Sequence, residues 1–483
     1  MPTERFLGIT VLSDFILNEG VDGVLDNVAQ RAGASAVALN PTVTAPTEEG
    51  AGSFQPPSDA GSSPRLFDRP LWGKRALWVR GAPSYRPKAA YYQDTPYRPR
   101  KPDDLTDQHG AIIERFIHAA LDRGLKVYFQ TGAATPPGLR DEDVPLLPSG
   151  RQPVRMAQTG SLASEAIRAY NQAYVRDLCE QYPQITGFRP DWPEYPCYKL
   201  DEAFQDFGPH VAAWSAQHGF DFEGIRAEVG AFYDYLHGSL RDRDLEDLAG
   251  PDRGKTTQLT LLRRYPAILE WLRLKTALSL DLLHHWRASI TAYGGPSMEL
   301  SANAFMTPFT LWTGFDVAGA AAYCTAVSPK LYTMHWSVMV DFWGRDLIAH
   351  NPGLDETLVV RALAHLFDLG DEITAERLSD YGYPEPDEPH PIPSDCQARK
   401  IRQVCAESAG RTMVTPLVHG YGPHDDFCRR FQLVADSPAD GAWINRYGYL
   451  SDAKLDAVGR IWRQAARAGT APGGRASGTP SRD

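Results

Sequence analysis

The stretch "ITGFRPDWPEYPCY", residues 185–198, places Arg189, Asp191 and Glu194 just behind a short apolar run, among aromatic rings and prolines. Two carboxyl groups close together, beside a cation and flat rings, suit cleavage of a glycosidic bond. One carboxylic acid protonates the leaving oxygen, the other attacks the anomeric carbon or activates water, and the rings hold the sugar faces. Glu299 is a third acid in a comparable setting, inside the alternating run "SMELSANAF". Asp191 or Glu194 is the expected general acid/base, with Asp191, Glu299 or Asp425 as its carboxylate partner. No HxH or HExxH pattern falls on a strand end and no GxSxG elbow occurs, so a metal-dependent hydrolase and an α/β-hydrolase both rank low. Neither a metal nor a cofactor is expected.

These residues need strands to aim them. Short apolar runs at 6–13, 34–42, 125–132, 185–192, 297–305, 319–329, 411–420 and 441–450 alternate with helical patterns such as "GAIIERFIHAALDRG" and "YPAILEWLRLKTALSLDLLHHWRASI". Eight strand–helix repeats predict parallel strands with helical crossovers, closed into a (β/α)8 TIM barrel of the α/β class. A doubly wound open sheet is the alternative, weakened by the lack of a GxGxxG turn after the first strand. Long insertions are expected after strands 2 and 6, at 43–108 and 371–409, in a single domain spanning 1–466. The glycine-rich tail 467–483 is expected to be disordered.

In a barrel the chemistry sits at the C-terminal strand ends, and the two-residue period of a strand decides which side chains face the axis. In the fourth strand Gly187, Arg189 and Asp191 share the inner face, with Trp192 and Glu194 just beyond. The fifth turns Ser297, Glu299, Ser301 and Asn303 inward. The sixth brings Ser328, Lys330 and Tyr332 to one side, followed by Trp336. His419, Tyr421, Asp425 and Asp426 follow the seventh strand; Trp443, Asn445 and Tyr447 follow the eighth; Asp14 and Glu19 follow the first. The expected substrate-binding set is therefore Arg189, Trp192, Asn303, Lys330, Tyr332, Trp336, His419, Tyr421, Asp425, Asn445, Tyr447 and Asp14. Each has a plainer reading. Arg189 and Asp191 can be an interior ion pair, Glu299 a buried acid paired with Arg189 or Lys330, Glu194 a solvated loop residue, and His419 a satisfied core histidine.

Composition limits the partners. The chain of 483 residues carries a formal net charge of −11, which argues against nucleic acid, and its 11 Trp and 21 Tyr are generous enough to furnish a carbohydrate-stacking cleft. No apolar run reaches membrane-spanning length, and a cytoplasmic location is expected. The six cysteines, Cys179, Cys197, Cys324, Cys396, Cys405 and Cys428, form no CxxC pair and read as isolated reduced thiols. A carbohydrate substrate is the expected partner, with neither nucleic acid nor membrane, and a homo-oligomer stays open.

The order of elements, together with "FRPDWPEYPCY", "FDFEGIRAEVGAFYDYL", the long helix "RYPAILEWLRLKTALSLDLLHHWRASI" and "AVSPKLYTMHW", resembles bacterial TIM-barrel glycoside hydrolase-like proteins over residues 6–465. The resemblance implies an acid at the end of the fourth strand, matching Asp191 or Glu194. Retaining enzymes of the largest barrel clan also place a Glu nucleophile at the end of the seventh strand. Here that strand ends in His419, with Asp425 and Asp426 only in the following loop, so the nucleophile and the stereochemical outcome stay open. A non-catalytic carbohydrate-binding barrel is one alternative, and a sugar isomerase or lyase using Lys330 and His419 is another.

Overall fold

The computed structural model describes residues 5–57 and 65–468. Eight parallel strands follow one another around a closed barrel: β1 (Phe6–Thr10), β2 (Ala36–Leu39), β3 (Lys126–Gly132), β4 (Gly187–Asp191), β5 (Glu299–Ala304), β6 (Ala326–Leu331), β7 (Met413–Val414 and Leu417–His419) and β8 (Gly441–Asn445). β8 pairs back onto β1 with Phe6 opposite Gly441, and β5 pairs β6 with Ser301 opposite Ala326, which completes the ring. The break in β7 has a local cause. Pro416 has no N–H to give the ladder, so only its carbonyl takes part, accepting from Trp443 N at 2.9 Å.

The period of two sorts the core into two layers. Leu7, Ile9, Val37, Phe129, Phe188, Leu300, Val327 and Ile444 face outward into the main apolar core, whereas Ala36, Ala38, Tyr128, Leu417 and Trp443 pack inside the barrel. Trp443 is the largest of the inner group, and Gly8 makes room for it: a Cβ at residue 8 would stand 2.3 Å from the indole ring. Arg189 lies over the other side of that indole, its Cζ 3.6 Å from the ring centroid.

Between β2 and β3, the segments Thr42–Pro46, Ser53–Gln55 and Leu77–Pro83 form a small antiparallel sheet. Residues 58–64 of that stretch lie outside the described residues, as does the expected disordered tail from 469 onward. The longest segment between barrel strands falls elsewhere, between β4 and β5, with helices Leu200–Ala203, Pro209–His218, Phe222–Leu236, Asp242–Ala249, Lys255–Arg264 and Ala267–Gly294. Its amphipathic patterns read from sequence as an ordinary crossover. The last of these helices is that crossover, burying Leu274, Leu278, Leu282 and Trp286. Within 371–409, Ser394–Ser408 is likewise the crossover helix into β7. Among the described residues no helix is long and apolar enough to cross a membrane.

Candidate active site at the barrel mouth

The C-terminal ends of β1 to β4 and β8 enclose a cavity of about 330 Å³, lined among others by Thr10, Asn40, Gln130, Asp191, Trp192, Asn445 and Arg446. Asp191 ends β4, and its backbone oxygen accepts from Ala133 N at 2.8 Å, so the carboxylate leaves a strand end that is still tied to its neighbour. Lys330, the next-to-last residue of β6, reaches it with Nζ 2.6 Å from Oδ1; the side chains are 5% and 26% exposed for the lysine and aspartate. Trp192 then turns the chain with φ of 54°, a left-handed conformation uncommon for a bulky residue, while its N–H donates to Asn303 O at 3.1 Å. The turn sets the indole on the cavity wall with Lys330 Nζ 4.3 Å from the ring centroid.

Glu194 has a different environment. It is fully buried, and neither of its oxygens faces solvent: Oε1 accepts from Phe305 N at 2.5 Å and Oε2 from the Thr313 hydroxyl. Burial pushes its carboxyl up to about 7, opposed by those two hydrogen bonds and by the Lys330 charge. It is not the solvated loop residue of the plainer reading. The contacts tie the loop after β4 to the end of β5 and to the short helix Phe309–Thr313, which fixes the position from which Asp191 and Trp192 project.

One layer below, Arg189 is buried completely and donates to Ser301 Oγ at 3.0 Å, Ser328 Oγ at 3.2 Å and Asn303 Oδ1 at 2.7 Å. Burial lowers its guanidinium to about 9. Arg189 and Asn303 are thus buried beneath the mouth and are not among the residues that line the cavity. Asn445 does line the cavity, its Oδ1 accepting from Thr10 Oγ1 at 2.6 Å. Tyr332, at the end of β6, is almost buried and meets the rings of His335 and His419 edge-on, at 5.1 and 4.9 Å between centroids.

Several expected site residues belong elsewhere. Glu299 is the first residue of β5, at the N-terminal end of the barrel, where Lys126 Nζ lies 2.6 Å away and Tyr128 OH donates at 2.7 Å. Glu299 does face the interior, as its strand parity predicts, but it lies too deep to meet a ligand at the mouth. Trp336 is buried on the helix Thr333–His350 against Phe309, and Asp425 is fully exposed on the helix His424–Ala435, paired only with His424. Tyr447 points outward, donating to Glu19 Oε2 at 2.7 Å and packing on Phe15. Tyr421 is buried with its hydroxyl on Pro384 O at 2.9 Å, and His419 is fully buried with Nδ1 accepting from Tyr421 N at 3.1 Å. Asp14 is buried at the start of the helix Ser13–Glu19, and burial raises its carboxyl above the usual range.

Thr10, Asn40, Gln130 and Arg446 line the cavity and were missed. Inner-face parity carried one strand further would have found Gln130, which pairs across from Arg189. Away from the mouth, one nitrogen or oxygen atom from each of His237, Asp346 and His350 lies within 4.8 Å of the other two.

No family model matches the chain, and no curated protein matches it. Among solved structures it is similar to the catalytic domain of a β-amylase from Paenibacillus polymyxa, with 9% identity and a TM-score of 0.48 over 97% of this chain and 99% of that one. It is also similar to the Group IV chitinase of Ostrinia furnacalis, at 10% identity and a TM-score of 0.42 over 95% and 100%, respectively. A β-glucosidase from Thermotoga maritima aligns at 8% identity with a TM-score of 0.34, covering 92% of this chain and 89% of that one.

Proposed function

We propose that this barrel cleaves a glycosidic bond in the cavity at its C-terminal face, with Asp191 as the carboxylate that touches the substrate. The observation that carries this reading is the Asp191–Lys330 pair on the cavity wall beside the Trp192 indole. Lys330 Nζ, 2.6 Å from Oδ1, holds the Asp191 carboxylate at the cavity wall, where it serves as general base or nucleophile at the anomeric centre. The Trp192 ring offers a sugar a flat apolar face, and the amides of Asn40, Gln130 and Asn445 are placed to meet hydroxyl groups. Glu194 has a proton affinity suited to acid catalysis at neutral pH, but its oxygens are held by Phe305 and Thr313, which makes it a positioning residue. Lys330 is bound to Asp191 and His419 is buried against Tyr421, an arrangement that favours neither for isomerase or lyase chemistry.

A second reading has its own observation. Asp191 is the only carboxylate among the described residues lining the cavity, whereas hydrolysis ordinarily uses two. A barrel that binds sugar without turnover fits that count. The deciding experiment is release of reducing sugar or aglycone from a broad glycoside panel by wild type and Asp191→Asn, beside calorimetric binding of the same compounds. Turnover lost in the variant supports hydrolysis; tight binding of an unchanged sugar overturns it in favour of the second reading.

A further inference from the structure

The helix Phe222–Leu236, in the block between β4 and β5, ends at His237, and the helix Thr333–His350 after β6 carries Asp346 and His350 on its last turn. The i, i+4 spacing puts Asp346 and His350 on one helix face. Asn351 fixes that face against the end of the other helix: its Nδ2 donates to Leu236 O at 2.7 Å and its Oδ1 accepts from Leu240 N at 3.1 Å. One donor atom from each of His237, Asp346 and His350 consequently lies within 4.8 Å of the other two, and the two imidazole centroids are 4.7 Å apart.

Both rings have one nitrogen fixed by a backbone carbonyl. His237 Nδ1 lies 2.8 Å from Tyr233 O and His350 Nδ1 lies 2.9 Å from Asp346 O. A carbonyl only accepts, so each Nδ1 donates to it, which makes Nε2 the nitrogen a metal would take from the neutral ring. The His237 side chain is only 7% exposed, and its Nε2 has no hydrogen-bond partner among the described residues. That nitrogen faces Asp346 Oδ2 at 3.6 Å and Asp201 Oδ1 at 3.9 Å. Asp201 is held in turn by the Tyr233 hydroxyl at 2.7 Å and by Val154 N at 2.8 Å. A metal-bound histidine usually has its other ring nitrogen fixed by a carbonyl or carboxylate, as both Nδ1 atoms are here.

We propose that His237, Asp346 and His350 bind one divalent transition-metal ion of the zinc class, which staples the helical block between β4 and β5 to the helix after β6. Two imidazoles and one carboxylate suit zinc and its neighbours, whereas calcium and magnesium prefer all-oxygen sites. Tetrahedral bonds of about 2.0–2.2 Å place donors about 3.3–3.6 Å apart, so the widest separation in the cluster, within 4.8 Å, contracts by up to roughly 1.5 Å on binding. His350, whose side chain is 46% exposed, is free to make that movement, and water completes the fourth position. The site is separate from the mouth: it is at the far end of an 18-residue helix that starts just after β6, about 25 Å along the helix axis.

The test is titration of tag-free, chelator-stripped protein with Zn²⁺ by calorimetry, alongside thermal unfolding with and without the ion. Wild type is expected to take up one equivalent and to unfold at a higher temperature when loaded. His350→Ala, at a half-exposed position that leaves the fold intact by circular dichroism, and Asp346→Asn should each weaken binding at least ~10-fold and abolish the thermal shift. Co²⁺ in place of Zn²⁺ should give the visible absorption of a tetrahedral site in wild type only. No stoichiometric uptake of Zn²⁺ or Co²⁺ by wild type, or unchanged binding in both folded variants, overturns the proposal.

Discussion

Two lysine–carboxylate pairs sit at opposite ends of the same barrel, each with 2.6 Å between the charged atoms: Lys330 with Asp191 at the mouth, Lys126 with Glu299 at the base. The surroundings differ. At the mouth the lysine is buried, an indole lies beside it, and the carboxylate opens onto about 330 Å³ of space. At the base the lysine side chain is half exposed, and the adjoining cavity is only about 20 Å³. An ion pair therefore does not mark a site by itself. What separates the two is burial of the cation, which leaves the carboxylate as the member of the pair a ligand can reach, together with room for that ligand.

The sharpest way to break this comparison is to neutralise the acid at the mouth. Asp191→Asn should lower turnover of any hydrolysed glycoside by ~10²–10⁴. It also strands Lys330 in a buried site, so stability should fall by about 2–3 kcal/mol, below the full cost of breaking a buried pair because Asp191 is partly exposed. Lys330→Met in the same background should recover much of that stability and none of the activity. Recovery of activity in the double variant would show that Asp191 serves only to neutralise the lysine.

Glu194 supplies the next effect, in stability. Its folded carboxyl is raised to about 7 from an ordinary 4.5, so between those values the folded protein binds the proton more tightly than the unfolded chain. Its contribution is fully present below about 4.5 and is lost as pH rises through about 7, by roughly 3 kcal/mol in all. Urea unfolding at pH 4.5 and pH 8 should show wild type losing that much more than Glu194→Gln. Glu202, raised to about 7 by the same burial, should add a similar share that its own Gln variant removes. Equal pH slopes in wild type and Glu194→Gln would mean that Glu194 is solvated.

These residues also show what a sequence can disclose. The eight strands were legible because a barrel strand's outer face is a run of Val, Leu, Ile and Phe with period two, and that period put Arg189, Asp191 and Asn303 inside. It says which face a residue takes, not how far along the barrel it sits; the depth of Glu299 is fixed by the ladder, which pairs it with Gly187 at the start of β4. The sixth strand begins at Ala326 because the alanine-rich run before it forms the short helix Val317–Ala320, the preference of alanine prevailing over an apolar pattern that suits either structure. Trp336, Tyr421 and His419 were misplaced for a further reason. Large rings near strand ends pack against one another as readily as against a ligand, and only the packed chain separates the two outcomes.

A smaller effect tests whether the indole on the wall is a platform. Trp192→Ala should weaken sugar binding by ~3–10-fold, the scale of one aromatic contact of about 0.5–1.5 kcal/mol. Because residue 192 has φ of 54°, Trp192→Gly should be more stable than Trp192→Ala by about 1 kcal/mol while binding no better. Equal affinity in wild type and both variants would remove Trp192 from the site.

The smallest effect is expected at the base, and it is the control on the whole comparison. Glu299→Gln keeps an acceptor for the Tyr128 hydroxyl and loses only the attraction to a half-exposed lysine, a pair worth no more than about 1 kcal/mol. Turnover and sugar affinity should match wild type, since the indole of Trp443 and the Arg189 layer stand between the base and the mouth. A rate loss in Glu299→Gln comparable to that of Asp191→Asn would mean that charge at the base reaches the mouth through Arg189, and the two pairs would have to be treated as one electrostatic unit.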